Sequence, residues 1–344
     1  MNATKCTMTM LILLLAAALS LPAAKSKPAP VTTPGQYFIA PQVAKVFDAD
    51  AAGRTARADI PLSYLKTLHL PAQQNNVYPV FLFQVKNADL GFTAAADNPA
   101  LLKASHMVFT RVYRLANGAL GEIMKEHNIH FDLEEAQAAY RPEALNFYSL
   151  AGDIFPPGNY LLALALTTPD YGRIATAYAE FSLPDFSRLA NELVTTPVFS
   201  VRSLQMMPAA DSKMLVHKNS FVYNTLLLEP VLDNRFQASE SLDLFYFILG
   251  ARPDAGNAVS LQITYRFTQD GKEINKLAPQ TVTSPIISQP IAFTFTEVTK
   301  DAKGKETERQ EKLLEPGDYV LEIEMLDSVS QAKGRQEFKF TIVE

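Results

Sequence analysis

The chain has 344 residues, of which 48% are hydrophobic and 19% are charged, and its formal net charge is −5. This length accommodates two domains of ordinary size, and the composition is that of a globular rather than a disordered protein. The acidic balance excludes nucleic acid as a partner bound through charge, because such a surface needs clustered lysines and arginines.

The N-terminal residues 1–24 have the order of a secretory signal peptide. Lys5 precedes an apolar run from Met8 to Leu19, and small residues follow at 20–24. The run, at about 12 residues, is too short to favour a permanent membrane span. The alternative is that the segment is not cleaved and remains as a signal anchor. We therefore predict export to the periplasm or the extracellular space, with envelope association as a variant, and no stable membrane span after cleavage.

The single cysteine, Cys6, lies ahead of the apolar run and within the predicted signal peptide. The mature chain therefore has no disulfide, no cysteine nucleophile and no thiolate metal site. An exported chain of this kind must gain its stability from the size of its hydrophobic cores, which domains of about 150 residues can provide.

The segment that follows the signal, 25–36, is rich in proline and is predicted to be an extended leader. From 37 to 70 the pattern indicates short strands and turns, including a strand over 43–47 and a polar turn over 48–53. In the rest of the first half, only 132–140 favours a helix, because good helix formers precede Pro142 there.

Longer aromatic and β-branched segments predict buried strands over 78–85 and 107–115. Two sequence motifs then occur twice in the same order. The first, Tyr-Arg followed by Asn-Gly or Asp-Gly, covers 113–118 and 265–271 and predicts a tight hairpin, since these turn residues tolerate positive φ.

The second motif is Pro-Gly-x-Tyr ahead of an alternating strand, at 157–160 and 316–319, with 159 positions between the copies. In immunoglobulin-like and fibronectin-type sandwiches, a tyrosine near the start of the penultimate strand hydrogen-bonds back to the preceding turn, as a tyrosine corner. Proline presets φ, glycine permits positive φ, and tyrosine supplies an apolar body with one polar group. The alternative is that Tyr160 and Tyr319 are exposed as stacking platforms for sugars.

The repeated motifs predict an all-β chain of two tandem immunoglobulin- or fibronectin-like β-sandwich domains. The first sandwich is predicted over 37–186 and the second over 198–344, joined by a proline-bracketed linker, 187–197. The segment 299–312, where charges of both signs nearly cancel, is predicted to be a long solvated hairpin tip. The repeat does not explain this segment or 86–106, so both are candidate functional surfaces.

The second copy of the repeat resembles a known family. The signal peptide, the Tyr-Arg hairpin and Leu-Glu-Pro-Gly-Asp-Tyr-Val-Leu-Glu-Ile at 314–323 are similar to the β-sandwich segments of secreted bacterial proteins that accompany GWxTD domains. The likeness covers mainly 240–344 and more weakly 78–186. The chain has no tryptophan, so the GWxTD motif itself is absent and only the sandwich carries over. The resemblance implies an exported bacterial location and no defined role.

A Ser-x-x-Lys motif at Ser63 and Lys66 matches penicillin-binding enzymes, in which the lysine can activate the serine. The companion motifs Ser-Asp-Asn and Lys-Thr-Gly are missing. A hydrolase that uses this pair is therefore a remote alternative to a non-enzymatic protein.

Two groups of side chains have spacings that a metal site could use. His127 and His130 could join Glu122, Glu126 or Asp132 in a cluster, although on a strand residues three apart lie on opposite faces. The positions one, three, six and twelve of a calcium loop are filled by Asp48, Asp50, Gly53 and Asp59. Position five is an alanine and no flanking helices are evident, which favours a polar hairpin turn.

We therefore assign no catalytic, cofactor-binding or metal-binding residue and predict no cofactor. The predicted function is non-enzymatic protein–protein or cell-surface interaction, with a protein or a surface glycan as the partner. The alternative is a carbohydrate-binding or glycan-linked accessory module, which would have to rely on tyrosine and phenylalanine because the chain has no tryptophan.

Overall fold

The computed structural model describes residues 39–72, 76–151, 153–189, 191–208, 216–300 and 306–344. Within them the protein is all-β, as the sequence predicts, and it has one α-helix. The predicted signal peptide and leader lie outside the described residues. Among the residues that are described, no helix combines the length and the apolar character that a membrane span requires.

The elements of the first half, in chain order, include the helix and the longest strands. They are α1 (Pro41–Asp50), β1 (Ser63–Pro71), β2 (Val77–Lys86), a 3-10 turn (Asn87–Leu90), β3 (Thr93–Ala94), β4 (Leu101–Ala116), β5 (Ala119–Ala136), β6 (Leu145–Ala151), β7 (Gly158–Thr167) and β8 (Ile174–Leu183).

The remaining elements are strands, apart from a 3-10 turn at Phe186–Arg188. They are β9 (Val194–Thr195), β10 (Phe199–Met206), β11 (Val216–Lys218), β12 (Phe221–Tyr223), β13 (Leu226–Val231), β14 (Arg235–Gln237), β15 (Ser241–Leu249), β16 (Leu261–Gln269), β17 (Lys272–Lys276), β18 (Gln280–Val282), β19 (Ile286–Ala292), β20 (Thr294–Lys300), β21 (Glu306–Leu313), β22 (Gly317–Asp327) and β23 (Lys333–Val343).

The described chain forms two compact units. The first unit consists of 39–185 with Leu204–Glu229, and the second of Phe186–Ser203 with Pro230–Glu344. This division differs from the predicted domains in two places. Leu204–Glu229, predicted in the second domain, belongs to the first unit because β11 pairs with β6. The predicted linker, 187–197, belongs to the second unit, where β9 pairs with β15.

The first unit is a sandwich of two sheets. One sheet has the strand order β1-β2-β6-β11, and the other has β5-β4-β7-β8 with β3 added beside β4. Rings from the two sheets pack on each other: Phe81 lies 5.2 Å from Phe181 and Phe83 lies 6.2 Å from Phe131, between ring centroids. Aromatic contacts of this kind form the core between the sheets.

Helix α1 covers the other face of the β4–β7 sheet. Val43 and Phe47 are fully buried there in one cluster with Phe109 and Leu161. The predicted strand over 43–47 and hairpin turn over 48–53 are therefore wrong. Pro41 occupies the first helical turn and the apolar residues recur at i, i+3 and i+4, so the segment can place one stripe on the sheet.

The predicted helix over 132–140 is also wrong, because β5 continues to Ala136 and only a turn follows. Strand β5 pairs with β4 from Ala119 to Ala136, and its Ile129 and Phe131 are buried. Long-range pairing and the burial of alternate side chains outweigh the local helix propensity of this segment.

The second unit is a sandwich as well. One sheet has the order β14-β23-β22-β16-β17, with β18 also on β16, and in the other β15 pairs with β9, β10 and β19. Large side chains from both sheets meet in one core cluster, in which the hydroxyl oxygens of Tyr246 and Tyr265 lie 2.9 Å apart.

The predicted repeat is visible in the sheets. In the first unit the strands lie in the order β5-β4-β7-β8, and in the second the corresponding order is β17-β16-β22-β23. Both predicted hairpin turns are present, with φ of 52° and 79° at Asn117 and Gly118 and of 50° and 74° at Asp270 and Gly271. These positive angles explain why Asn-Gly and Asp-Gly occur at this position.

Of the two segments that the repeat did not explain, 299–312 was predicted to be a long hairpin tip. It belongs to a hairpin, but β20 extends to Lys300 and β21 begins at Glu306, so most of the segment is paired strand. Its tip, 301–305, lies outside the described residues. The segment 86–106 holds the Asn87–Leu90 turn, β3 and the start of β4. At its end His106 is buried, with its ring nitrogens at 3.2 Å from the carbonyl oxygen of Thr167 and 2.9 Å from that of Leu90.

Candidate functional site

The two Pro-Gly-x-Tyr motifs form the predicted tyrosine corners. The Tyr160 hydroxyl donates to the carbonyl oxygen of Pro156 at 2.7 Å, and the Tyr319 hydroxyl donates to that of Glu315 at 2.8 Å. Both side chains are buried, at 0% and 3% exposure, and burial raises the pKa of each phenol. The alternative in which these rings stack on sugars is therefore wrong.

A groove lies beside each corner, at equivalent positions of the two units. The first groove, of about 370 Å³, is lined by Leu115, Gly118, Asn159, Glu180, Phe181 and Ser182. The second, of about 500 Å³, is lined by Asp233, Asn234, Thr268, Asp270, Gly271, Asp318, Tyr319, Val320, Lys339, Phe340 and Thr341. Positions 159 and 180–182 of the first groove correspond to 318 and 339–341 of the second, at the repeat spacing of 159.

One hydrogen bond is common to both grooves and fixes the side chain that follows the corner glycine. In the first, the Ser182 hydroxyl donates to Asn159 Oδ1 at 2.7 Å. In the second, the Thr341 hydroxyl donates to Asp318 Oδ1 at 2.7 Å. The common geometry makes the residue differences between the grooves directly comparable.

The first groove is bordered by a guanidinium group of the same unit. Arg54 donates through Nε to Glu180 Oε1 at 2.7 Å and through Nη2 to the carbonyl oxygen of Gly118 at 3.3 Å. A further contact, from Nη1 to the carbonyl oxygen of Ala52 at 3.1 Å, holds the side chain in place. In the first groove, a cationic side chain is thus held by Glu180 and by a carbonyl oxygen of the hairpin turn.

The second groove carries more negative charge. Asn159 of the first groove is replaced by Asp318. Asp270, which takes the place of Asn117 in the repeated hairpin turn, and Asp233 also lie in the lining. Glu180 is replaced by Lys339, so three carboxylates face one ammonium group. These four side chains are exposed, and the groove is therefore open to solvent at its charged end. Carboxylates in this arrangement can bind guanidinium or ammonium groups.

Two of the lining groups are held by local hydrogen bonds. Asp233 Oδ1 accepts from the backbone N–H of Arg235 at 3.2 Å, and Asn234 Nδ2 donates to the carbonyl oxygen of Lys339 at 3.1 Å. These bonds fix the loop ahead of β14 against β23. A fixed loop presents its carboxylate with little loss of side-chain entropy on binding.

The Ser63 and Lys66 pair lies at the start of β1. A bulge between Tyr64 and Lys66 puts Ser63 opposite Gln84 and Lys66 opposite Leu82, so both residues belong to one face of the strand. Burial lowers the pKa of Lys66. No hydrogen bond joins the two side chains within the part of the chain that the structure describes, and hydrolase chemistry on this pair stays a prediction.

The two histidines are on opposite faces of β5, as the alternation predicts. His127 Nε2 lies 2.9 Å from Asp153 Oδ2, which also lies 3.1 Å from Lys125 Nζ, whereas His130 is exposed. Despite burial, which raises it, the pKa of Asp153 is lowered by its contacts with His127 and Lys125.

Two of the three acidic partners considered for these histidines are engaged elsewhere. Glu126 accepts from Arg111 Nε at 2.6 Å and Asp132 accepts from the Ser105 hydroxyl at 2.6 Å. Across the described ranges, no group of three or more His, Cys, Asp or Glu side chains is placed to hold a metal ion.

The carboxylates of the calcium-loop pattern accept hydrogen bonds from three separate donors. Asp48 Oδ1 accepts from Arg111 Nη1 at 2.6 Å, and Asp50 Oδ2 accepts from Arg57 Nε at 2.7 Å. The third, Asp59, accepts through Oδ2 from the backbone N–H of Ile174 at 3.0 Å. Since Asp48 and Asp50 belong to α1, the pattern is the end of a helix rather than a hairpin turn.

The groove beside Tyr319 was not identified from the sequence, although a signal for it was present. The two repeated motifs differ by an exchange of asparagine for aspartate in each, at 117 and 270 and at 159 and 318. An alignment of the two copies would have shown that both exchanges add a carboxylate. Only the packing of β16, β22 and β23 shows that the two aspartates line one groove.

No protein-family model matches the chain, and no curated protein is similar to it in sequence. Among solved structures, the Y1175G mutant of Salmonella alpha-2-macroglobulin is 11% identical with a TM-score of 0.17, over 84% of this chain and 17% of that chain. Trypsin-activated alpha-2-macroglobulin from Escherichia coli is 11% identical with a TM-score of 0.19, over 85% of this chain and 17% of that chain.

The Escherichia coli protein activated by porcine elastase is 7% identical with a TM-score of 0.18, over 84% of this chain and 44% of that chain. The chain spans less than a fifth of the length of the first two structures. At these TM-scores the likeness carries no argument about function, and the all-β fold stands on the sheets themselves.

Proposed function

We propose that the protein is an exported, non-enzymatic interaction protein whose second unit binds a basic side chain of a protein partner in the groove beside Tyr319. The observation that supports this is the pair of equivalent grooves. The first groove has Asn159 and is bordered by the chain's own Arg54, whereas the second is lined by Asp318 and Asp270 and is larger, at about 500 Å³ against about 370 Å³.

The groove would supply selectivity rather than most of the affinity. An ion pair between exposed groups contributes about 0.2–1 kcal/mol, because water screens it. Complementary charge instead raises the association rate and disfavours partners with the wrong sign. The remaining free energy would come from contacts with the surface around the groove.

Export is the second element of the proposal. It is supported by the signal-peptide pattern of 1–24 and by the resemblance to secreted sandwich segments found with GWxTD domains. A partner in the periplasm, in the extracellular space or at the envelope would follow from that location. A surface glycan is the competing partner, and the experiment below distinguishes the two.

A photo-crosslinking residue, p-benzoylphenylalanine, at Lys339 of the exported full chain tests the proposal in the native host. We expect a crosslinked protein whose contact peptide, located by mass spectrometry, contains an arginine or lysine. The Asp270→Asn/Asp318→Asn double variant introduces the asparagines found in the first copy of the repeat, so it should fold normally while the crosslinking yield falls at least fivefold. The same probe at Lys276, on β17, controls for unspecific capture.

Three outcomes would overturn the proposal. One is an equal crosslinking yield with and without the two aspartates, since the groove would then not select its partner. Another is a contact peptide without a basic residue. The third is the absence of any protein adduct together with binding to purified surface glycan, which would favour the carbohydrate alternative.

A further inference from the structure

A second cavity in the unit of 186–203 and 230–344 shares no lining residue with the groove beside Tyr319. It has a volume of about 350 Å³. Its buried lining comes from Ser200 and Val201 of β10, Val231 and Phe236, and its exposed rim includes Arg202, Arg235 and Glu240. The volume lies at the lower end of the range for small-ligand pockets, about 300–1,000 Å³.

Ser200 is the unusual residue of this cavity. It pairs with Leu244 of β15 and is 1% exposed, yet its hydroxyl has no hydrogen-bond partner in the described part of the chain. A buried hydroxyl without a partner costs about 1–3 kcal/mol relative to one that is hydrogen-bonded. Since Ser200 belongs to the lining of the cavity, a group bound there is a candidate partner for this hydroxyl.

The charged side chains of the cavity differ in the hydrogen bonds that they make within the protein. Glu240 Oε2 accepts from the backbone N–H of Gln237 at 2.7 Å, and Asp243 Oδ1 accepts from the Ser241 hydroxyl at 2.9 Å. Arg235, in contrast, makes no side-chain hydrogen bond or ion pair with any described residue. Among these charged groups, Arg235 is therefore the donor that a bound anion could engage.

We propose that this cavity binds a carboxylate group, which Arg235 pairs with at the rim while Ser200 donates a hydrogen bond from the floor. A carboxylate matches the planar donor fork of a guanidinium and can accept from a hydroxyl at the same time. The apolar side chains of Val231 and Phe236 take the methylene groups that carry it. The ligand is either a free organic acid or an acidic side chain of a peptide.

NMR titration of the full mature chain tests this inference with two carboxylate probes and their amides. Glutarate stands for a free acid and N-acetyl-L-glutamate α-amide for a peptide side chain, while glutaramide and N-acetyl-L-glutamine α-amide lack the charge. We expect saturable shifts of backbone amides at 199–203 and 235–241 with at least one acid, and at least tenfold weaker binding of its amide. Which acid binds more tightly identifies the source of the carboxylate.

Variants of the two donors separate a binding role from a structural one. Arg235→Gln should lower the affinity for the acid at least tenfold. The control, Lys276→Gln, removes a positive charge from β17, at the opposite edge of the sheet from β14, and should leave the affinity unchanged. Ser200→Ala should weaken the acid about threefold to tenfold without lowering the melting temperature of the free protein, since the hydroxyl has no partner to lose.

Saturable binding that Arg235→Gln leaves unchanged, equal affinity for acid and amide, or shifts that do not saturate for either acid would each overturn the inference. A melting temperature that falls in Ser200→Ala would show that the hydroxyl has a structural partner, and it would overturn the assignment of Ser200 as the donor. The Asp270→Asn/Asp318→Asn variant of the groove beside Tyr319 should bind the acid normally, so failure of the proposed function and failure of this inference can be told apart.

Discussion

The phenol oxygen of Tyr319 lies 2.8 Å from the carbonyl oxygen of Glu315, four residues earlier in the chain. Its ring stacks on Phe340 of β23, with centroids 5.5 Å apart and an angle of 18° between planes. The hydrogen bond ties the last turn to the start of β22, and the stacked ring ties the same residue to β23. Tyr160 repeats both contacts in the first unit, with Pro156 and Phe181.

Replacement of Tyr319 by phenylalanine keeps the stacked ring and removes the hydrogen bond of the corner. We expect a loss of about 1 kcal/mol in the free energy of unfolding, measured by urea denaturation. Tyr160→Phe should lose a similar amount. The matched control is Tyr140→Phe, since Tyr140 contacts Phe92 through its ring and makes no side-chain hydrogen bond among the described residues. Unchanged stability in both corner variants would contradict the structural role of the repeated motif.

Replacement of Arg111 by methionine should destabilise the first unit strongly. Its guanidinium is fully buried between Asp48 and Glu126, and the Glu126 side chain is only 6% exposed. Burial lowers the pKa of Arg111, but hydrogen bonds with Tyr113 and Glu126 outweigh it and raise the pKa above its usual value.

We expect Arg111→Met to cost about 3–5 kcal/mol in urea unfolding, because it leaves a buried carboxylate without its cation. The double variant Arg111→Met/Glu126→Leu should recover most of that loss, since it removes both charges. A single variant that loses less than about 1 kcal/mol would show that Glu126 finds another partner.

Asp327 should contribute to the acid dependence of stability. It is fully buried and accepts from the Ser330 hydroxyl at 2.6 Å and from the backbone N–H groups of Arg252 and Val329 at 2.9 and 3.0 Å. Burial raises the pKa of its carboxyl, but these hydrogen bonds outweigh that effect and lower the pKa below the usual value.

Its stabilisation is therefore fully present above the unfolded pKa of about 3.9 and is lost as the pH falls through the lower folded pKa. We expect Asp327→Asn to be less stable at neutral pH and to lose less further stability between about pH 4 and pH 2 than the wild type. Urea unfolding at several pH values measures this. Parallel pH profiles for the two proteins would rule out the contribution of Asp327.

Tyr246 and Tyr265 predict a dependence on alkaline pH. Their hydroxyl oxygens lie 2.9 Å apart in the core, and burial raises the pKa of Tyr265 to about 12 and that of Tyr246 above its usual value. Stability from these groups is fully present below the unfolded pKa of about 10 and is lost as the pH rises through the folded values.

We expect ultraviolet titration of the phenols to show late ionisation coupled to unfolding above about pH 10. In Tyr246→Phe/Tyr265→Phe the loss of stability over that pH range should be smaller than in the wild type. If both phenols ionised in the folded protein with the pKa of about 10 of an exposed tyrosine, the result would contradict the burial of this pair.

Calcium should not stabilise the protein through the residues of the calcium-loop pattern. Asp48 and Asp50 already bind Arg111 and Arg57, and Asp59 binds the backbone of Ile174. A ligand that binds the folded state raises the melting temperature. We expect no change in melting temperature and no heat of binding with millimolar calcium. A rise in melting temperature with calcium that Asp50→Asn abolishes would contradict this expectation and support a calcium site.

The repeat and its turns could be predicted from the sequence because they rest on local chemistry. Positive φ at Asn117–Gly118 and Asp270–Gly271 follows from the residue types, and each corner hydrogen bond spans only four residues. The same locality explains the errors. The residues of α1 are apolar enough for a strand and those at the end of β5 favour a helix, and only the sheet that each segment contacts decides between them.

Equivalent residues of the repeat also have different surroundings. Tyr113 is buried under α1 in one cluster with Phe47, whereas Tyr265 is buried between the sheets beside Tyr246. The register differs as well: Tyr113 lies opposite Leu161, and Tyr265 lies opposite Ile323. A strand that is buried on both faces, as β4 is, carries no alternation from which the inward face could be read.

The sequence alone thus determined the all-β class, the order of the repeated hairpin and the tyrosine corner in each copy. The tertiary structure decided the rest: that Leu204–Glu229 joins the first unit, and that Asp270 and Asp318 line one groove. It also showed that the repeated Pro-Gly-x-Tyr motif holds the fold while the groove beside it differs between the copies. Contacts within a turn depend on a few adjacent residues, whereas a groove depends on strands that are distant in sequence.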